Sequence, residues 1–103
     1  MTTATSPTTL CLHPDPTEQP TPVNAARYKA MRRALLRVIP KHKDGVPFRD
    51  LRDATVEHLP DDVFAGASFG WYVTTVKLDL EARGLIERVP KASPQRLRRV
   101  TPR

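Results

Sequence analysis

The apolar positions of the chain repeat with one spacing in its middle and with another near its end. Tyr28, Met31, Leu35 and Val38 recur at helical spacing, which predicts a helix from Ala25 to Ile39. Asn24 before it is a favoured N-cap, and Pro40 stops it. Leu51, Thr55 and Leu59 predict a second helix over about Arg49–Leu59, which Pro60 ends. Phe69, Val73, Val76 and Leu80 share one face of a third, Phe69–Arg83, with Ser68 as N-cap and Gly84 as the residue after its end. Beyond Gly84 the spacing shortens to that of strands, Leu85–Val89 and Leu97–Thr101, joined by a polar tip at residues 91–95. Val46-Pro47-Phe48 reads as a short strand or the start of the second helix, and residues 61–67 as a loop with one turn near Val63-Phe64. Leu35, Leu51, Val76, Leu80 and Leu85 are the expected core.

Residues 1–23 break this texture. They are mostly Thr and Pro, with little to bury against the cost of ordering a chain. The expected organisation is a disordered leader, 1–23, followed by one folded domain, 24–103.

Charge is distributed in blocks. The total is +6, but Asn24–Lys43 carries seven basic residues and no acid, and Asp44–Asp62 carries six acids against Arg49 and Arg52. Arg88–Arg103 then carries six bases and no acid. Asp50, Asp53 and Glu57 form an acidic stripe on the second helix that is expected to answer part of the basic first helix. That helix is therefore read as half structural. The last block is read as the stronger sign of an anionic partner. The chain has one cysteine, no apolar run long enough for a membrane span, and no signal-peptide pattern, which together imply a cytoplasmic protein.

The order of elements is helix, short strand, two helices and two strands. The run Val76-Lys77-Leu78-Asp79-Leu80-Glu81-Ala82-Arg83-Gly84-Leu85-Ile86-Glu87-Arg88 resembles the end of a recognition helix and the start of a wing in the winged helix-turn-helix superfamily. The likeness covers about Asn24 to Arg103 and is nearest to small uncharacterised bacterial proteins of that superfamily. It implies a mainly α fold: a three-helix core plus a β-hairpin wing.

Reaction chemistry finds little footing. Gly66-Ala67-Ser68-Phe69-Gly70 matches a nucleophile elbow in letters only: Leu59-Pro60-Asp61-Asp62 cannot be the buried strand an elbow needs, and His13, His42 and His58 all precede Ser68. Cys11 with His13 lacks the further ligands that zinc needs, and Glu57, His58, Asp61 and Asp62 read as a polar cluster at a helix end, with His58 placed to interact with the helix C-terminus. No catalytic residue, metal, cofactor or small-molecule substrate is expected.

Binding is the better reading. Arg88, Lys91, Arg96, Arg98 and Arg99, on or beside the hairpin, suit phosphates of double-stranded DNA, and Thr74 and Thr75 on the third helix can add to them. That helix face offers no Arg, Lys, Asn or Gln for base edges, so sequence-specific readout is not expected from it. The alternative is a protein interface, to a second copy or another protein, built on Trp71 and Leu78. Phe64 is the other surface that Trp71 is placed to cover.

Overall fold

The computed structural model describes residues 7–60 and 62–100. Two strands, β1 (Thr8–Cys11) and β2 (Thr21–Asn24), precede α1 (Ala25–Val38). After them come β3 (Val46–Pro47), a 3-10 turn (Phe48–Asp50), α2 (Leu51–Val56), α3 (Phe69–Ala82), β4 (Ile86–Arg88) and β5 (Arg96–Arg99). β1 and β2 form one antiparallel sheet, and β3-β5-β4, in that order, form another.

The helices begin and end for local reasons. The Asn24 side chain accepts the Arg27 N–H at 3.0 Å, capping α1 as its sequence position implies. Ile39 N–H closes the last turn on Leu35 O before Pro40. At the end of α3, Gly84 takes a φ of 75°. Its N–H meets Glu81 O, and Leu85 N–H meets Leu80 O, which satisfies carbonyls the helix leaves open. Ser68 does occupy the N-cap position of α3, but its side chain makes no capping bond. α2 is shorter than its predicted span because the chain enters it through the 3-10 turn and leaves it at Glu57.

α1 packs chiefly on α3, and α2 closes one side of the pair. Met31, Leu35, Leu51, Val76 and Leu80 are fully buried between them, while Leu85 is only half-buried. Ile86 and Leu97 extend this core onto the three-stranded sheet.

Two expectations are corrected. The fold is not a mainly α, three-helix core with one hairpin wing: its three helices are joined by two small sheets, an α+β arrangement. The supposed leader supplies one of those sheets. Thr8 pairs with Asn24 and Cys11 with Thr21, and Cys11 and Val23 are buried against the helices. β-branched Thr suits a strand, and Pro22 is tolerated because a two-stranded sheet has an unpaired edge for a residue without an N–H. Residues 1–6 lie outside the described residues, as do Asp61 and residues 101–103.

Removing residues 1–23 is therefore expected to destabilise the protein. Loss of the buried Val23 and Cys11 side chains costs on the order of 3 kcal/mol. Urea unfolding of residues 24–103 beside the full chain measures this, and equal midpoints would mean that the hairpin adds nothing to the fold.

Candidate functional site

Side chains alternate across β5, so Leu97 and Arg99 face the helices while Arg96 and Arg98 face outward. Arg88 lies opposite Leu97 and shares its face. The five basic residues proposed from sequence consequently meet different surroundings. Arg88 Nε reaches the Glu81 carboxylate on α3 at 2.7 Å. Across the strands, Arg98 Nε meets the Glu87 carboxylate at 2.6 Å. Lys91 is exposed at the hairpin tip with a φ of 63°.

The arginines of β5 converge on one segment, the turn between α1 and β3. Arg99 Nε donates to Ile39 O at 2.8 Å, and Arg98 Nη1 to Lys43 O at 3.0 Å. Arg96 donates to Asp44 O at 2.6 Å and to Gly45 O at 3.2 Å. Arg99 thereby caps the C-terminal end of α1, where a cation is favoured. These carbonyl bonds orient Arg96 and Arg99 without neutralising them. Exposed Lys41 and Lys43 lie on the same turn, and exposed Arg37 is in the last turn of α1. Among the described residues the carboxylates nearest in the chain are Asp44, which faces His42 at 3.7 Å, and Glu87, which is taken by Arg98. The sequence blocks around residues 37–43 and 96–99 thus become one basic surface.

The charge balance expected between the first two helices is not made. Among the described residues no ion pair joins α1 to Asp50, Asp53 or Glu57. Arg27 is the basic residue of α1 that turns inward to oxygen: it donates to Val63 O at 2.8 Å and holds the loop before α3.

On α3, Thr74 is exposed and Thr75 and Leu78 are half-buried. Trp71 is 45 % exposed and meets the edge of Tyr72 at 5.0 Å. Phe64 packs edge-on against Phe69 and Tyr72, so covering Phe64 is the work of those two rings.

Two polar networks escaped the sequence reading. Asp79, fully buried, receives the Tyr28 hydroxyl at 2.5 Å, the Leu12 N–H at 2.8 Å and Arg83 Nε at 2.9 Å. Arg83 also donates to Leu10 O. One carboxylate therefore ties the N-terminal hairpin to both long helices. Burial, then the hydrogen bond to Asp79, pushes the Tyr28 hydroxyl up to about 12, and burial, then Asp79, pushes the Cys11 thiol to about 11. The Asp79 bond raises Arg83 further above its ordinary range. In the other network, Lys77 is buried with its Nζ 3.0 Å from Gln95 Oε1, 2.9 Å from Glu81 Oε2 and 4.9 Å from the centre of the Phe48 ring. The only sequence signal for either was the i,i+4 spacing of opposite charges, which is far more common on exposed helix faces.

Cys11 faces the core, and His13 Nδ1 accepts the Asp15 N–H. Among the described residues no three His, Cys, Asp or Glu side chains come together as a metal-binding group. No described helix is long and apolar enough to cross a membrane. No curated protein and no solved structure matches the chain. A match to a family model runs from the first residue of β1 to Leu97 in β5, and so takes in the N-terminal hairpin and most of the second sheet. Over residues 8–97 the chain belongs to the family of unknown function DUF6958.

Proposed function

We propose that the protein binds nucleic acid through backbone phosphates, at the basic surface where the α1–β3 turn meets β5. The observation that carries this reading is the convergence of Arg96 and Arg99 on the carbonyls of residues 39–45, beside Lys41 and Lys43. A guanidinium held by a carbonyl keeps its charge and its remaining N–H donors, and it has already lost the freedom that phosphate binding would otherwise cost. Net charge of the same sign adds long-range attraction, with a sequence pI near 10.1. Arg88 and Arg98, each on a carboxylate, contribute less than the sequence implies. Lys91 at the hairpin tip, and Thr74 and Thr75 on α3, remain secondary contacts in this reading. A cytoplasmic setting belongs to it, since duplex DNA is the ligand in view and the lone Cys11 is a buried free thiol.

The test is binding to random-sequence duplex DNA over a salt series. Log affinity is expected to fall linearly with log salt, by about 0.9 per neutralised phosphate. Arg37→Ala, Lys41→Ala and Lys43→Ala together remove exposed side chains that hold no internal bond among the described residues. They are expected to weaken binding at every sequence and to flatten the slope by up to about 2–3. An unchanged slope overturns the reading. It would favour a protein partner, for which the 45 % exposure of Trp71 on the uncharged face with Thr74, Thr75 and Leu78 is the supporting observation.

A further inference from the structure

The C-terminal end of α2, the loop after it and the first residue of α3 form an apolar cleft of about 180 Å³. Val56, Leu59, Pro60, Phe64 and Phe69 line it. Val56 is 56 % exposed, more than any other large apolar side chain among the described residues. The walls are held from behind. Phe64 packs edge-on against Phe69 at 5.4 Å and against Tyr72 at 5.3 Å. Arg27 ties the loop down through Val63 O at 2.8 Å, and the Ala67 N–H closes a turn on Phe64 O.

Size decides what kind of occupant fits. Small-molecule sites span about 300–1,000 Å³, so this cleft is too small for one. A space of about 150 Å³ holds a benzene-sized group. The cleft therefore has room for one bulky apolar side chain, with the segment that bears it lying across the rim.

Charge decides what that segment carries. Asp53 lies one turn before Val56, Glu57 follows Val56 directly, and Asp62 stands on the loop. All three are exposed, and no described ion pair includes any of them. Arg52 is the one Lys or Arg between Leu51 and Phe69. The rim is thus acidic on a chain whose net charge is +6. At physiological ionic strength charges are screened over about 8 Å, so the nearby carboxylates govern the cleft and the distant cations do not.

We propose that the cleft docks a basic segment of a partner protein. One side chain of leucine or phenylalanine size enters against Val56, Leu59 and Phe64. Lysines or arginines on either side of it meet Asp53, Glu57 and Asp62. The acidic rim repels phosphate, so this surface is separate from the basic one at the α1–β3 turn. The inference does not rest on DNA binding.

The test is an amide chemical-shift titration of the full chain with the capped pentapeptide Lys-Lys-Leu-Lys-Lys. Saturable shifts are expected at Val56, Leu59, Phe64 and Phe69, with a dissociation constant on the order of 1 mM or tighter. Lys-Lys-Gly-Lys-Lys is expected to bind about tenfold more weakly, for want of the buried leucine. Glu-Glu-Leu-Glu-Glu is expected not to saturate. Asp53→Asn with Glu57→Gln alters only exposed side chains and is expected to weaken the basic peptide about threefold or more. Val56→Gln, also at an exposed position, carries the same expectation by removing a wall. Absence of saturable shifts at the cleft overturns the proposal, as does equal binding by the glycine or the glutamate peptide. So does full affinity in both variants. Shifts at the cleft that grow with protein concentration alone overturn it as well, because the occupant is then a second copy of the chain.

Discussion

Asp79→Ala is expected to cost about 3–5 kcal/mol and to lower the melting temperature by roughly 15–30 °C. The carboxylate is fully buried and accepts from Leu12 N–H, Tyr28 and Arg83. Alanine leaves the first two donors unpaired where little water reaches them, and each such orphan is unfavourable by about 1–3 kcal/mol. Arg83 has a half-exposed side chain, 37 %, and can turn to solvent, so it contributes the smaller share. Asp79→Asn keeps one acceptor oxygen and is expected to fall between alanine and wild type. Because the same carboxylate holds the hairpin, amide exchange in residues 8–24 should accelerate before the rest of the fold loosens. An alanine variant that melts within a few degrees of wild type would show that this network is not what fastens the hairpin.

The same region sets the response to alkali. Tyr28 and Cys11 both hold their protons more tightly in the folded protein, with values near 12 and 11 against ordinary values of 10.0 and 9.0. The folded state thus binds more protons than the unfolded state over that interval. Their stabilisation is complete below about pH 9 and is lost as pH rises from about 9 to 12, on the order of 2–3 kcal/mol for each group. In Asp79→Asn the charge that opposes ionisation is gone but burial remains, so the alkaline loss becomes shallower without vanishing.

Gly45→Ala is expected to destabilise the protein by about 4 kcal/mol or more, beyond the usual range for a single small substitution. Gly45 has a φ of 62°, and a Cβ built there stands 2.2 Å from Leu97 O and 2.8 Å from Leu97 C. The positive φ accounts for about 1–2 kcal/mol of the expected loss. The contact with β5 accounts for the rest, because backbone cannot swing aside as a side-chain tip can. Relief requires β3 to part from β5, and with it the bonds from Arg96 to Asp44 O and Gly45 O. Gly84→Ala is the control: φ is 75°, but nothing stands within 4 Å of the added atom. Chemical denaturation of both variants decides the matter. Equal losses would mean that φ alone matters at Gly45 and that β5 does not press on it.

Much of the architecture was legible because it is written in local terms. The stripe Tyr28, Met31, Leu35 buries one face of α1 whatever lies opposite, and Asn24 and Pro40 bound that helix through their own backbone chemistry. Gly84 ends α3 because a left-handed residue is needed there, and a strand follows at Ile86, one residue later than the spacing from Leu85 predicts. The N-terminal hairpin was not legible in this way. Its strands offer only Cys11 and Val23 to the core, too little to pay for folding alone. They are ordered by acceptors and donors supplied from α3, about 70 residues on, through the Leu12–Asp79 bond.

Charge shows the same division. Basic and acidic blocks are a property of the chain, and counting them suggested a hairpin free for phosphate and a first helix partly answered by the second. Strand alternation and a turn closing on β5 rearranged that picture: Arg88 and Arg98 found Glu81 and Glu87, while Arg96 and Arg99 found carbonyls. The cations of α1 at Lys29, Arg32 and Arg33 kept no described carboxylate. Helical and strand periodicity, caps and turn residues act within a few residues, so sequence was enough for them. Which charges meet depends on pairs separated by 7, 11, 52 or 60 positions, such as Arg88 with Glu81 or Arg99 with Ile39 O. Their approach is set by how helices and sheets pack, and only the folded chain brings them within a hydrogen bond's length.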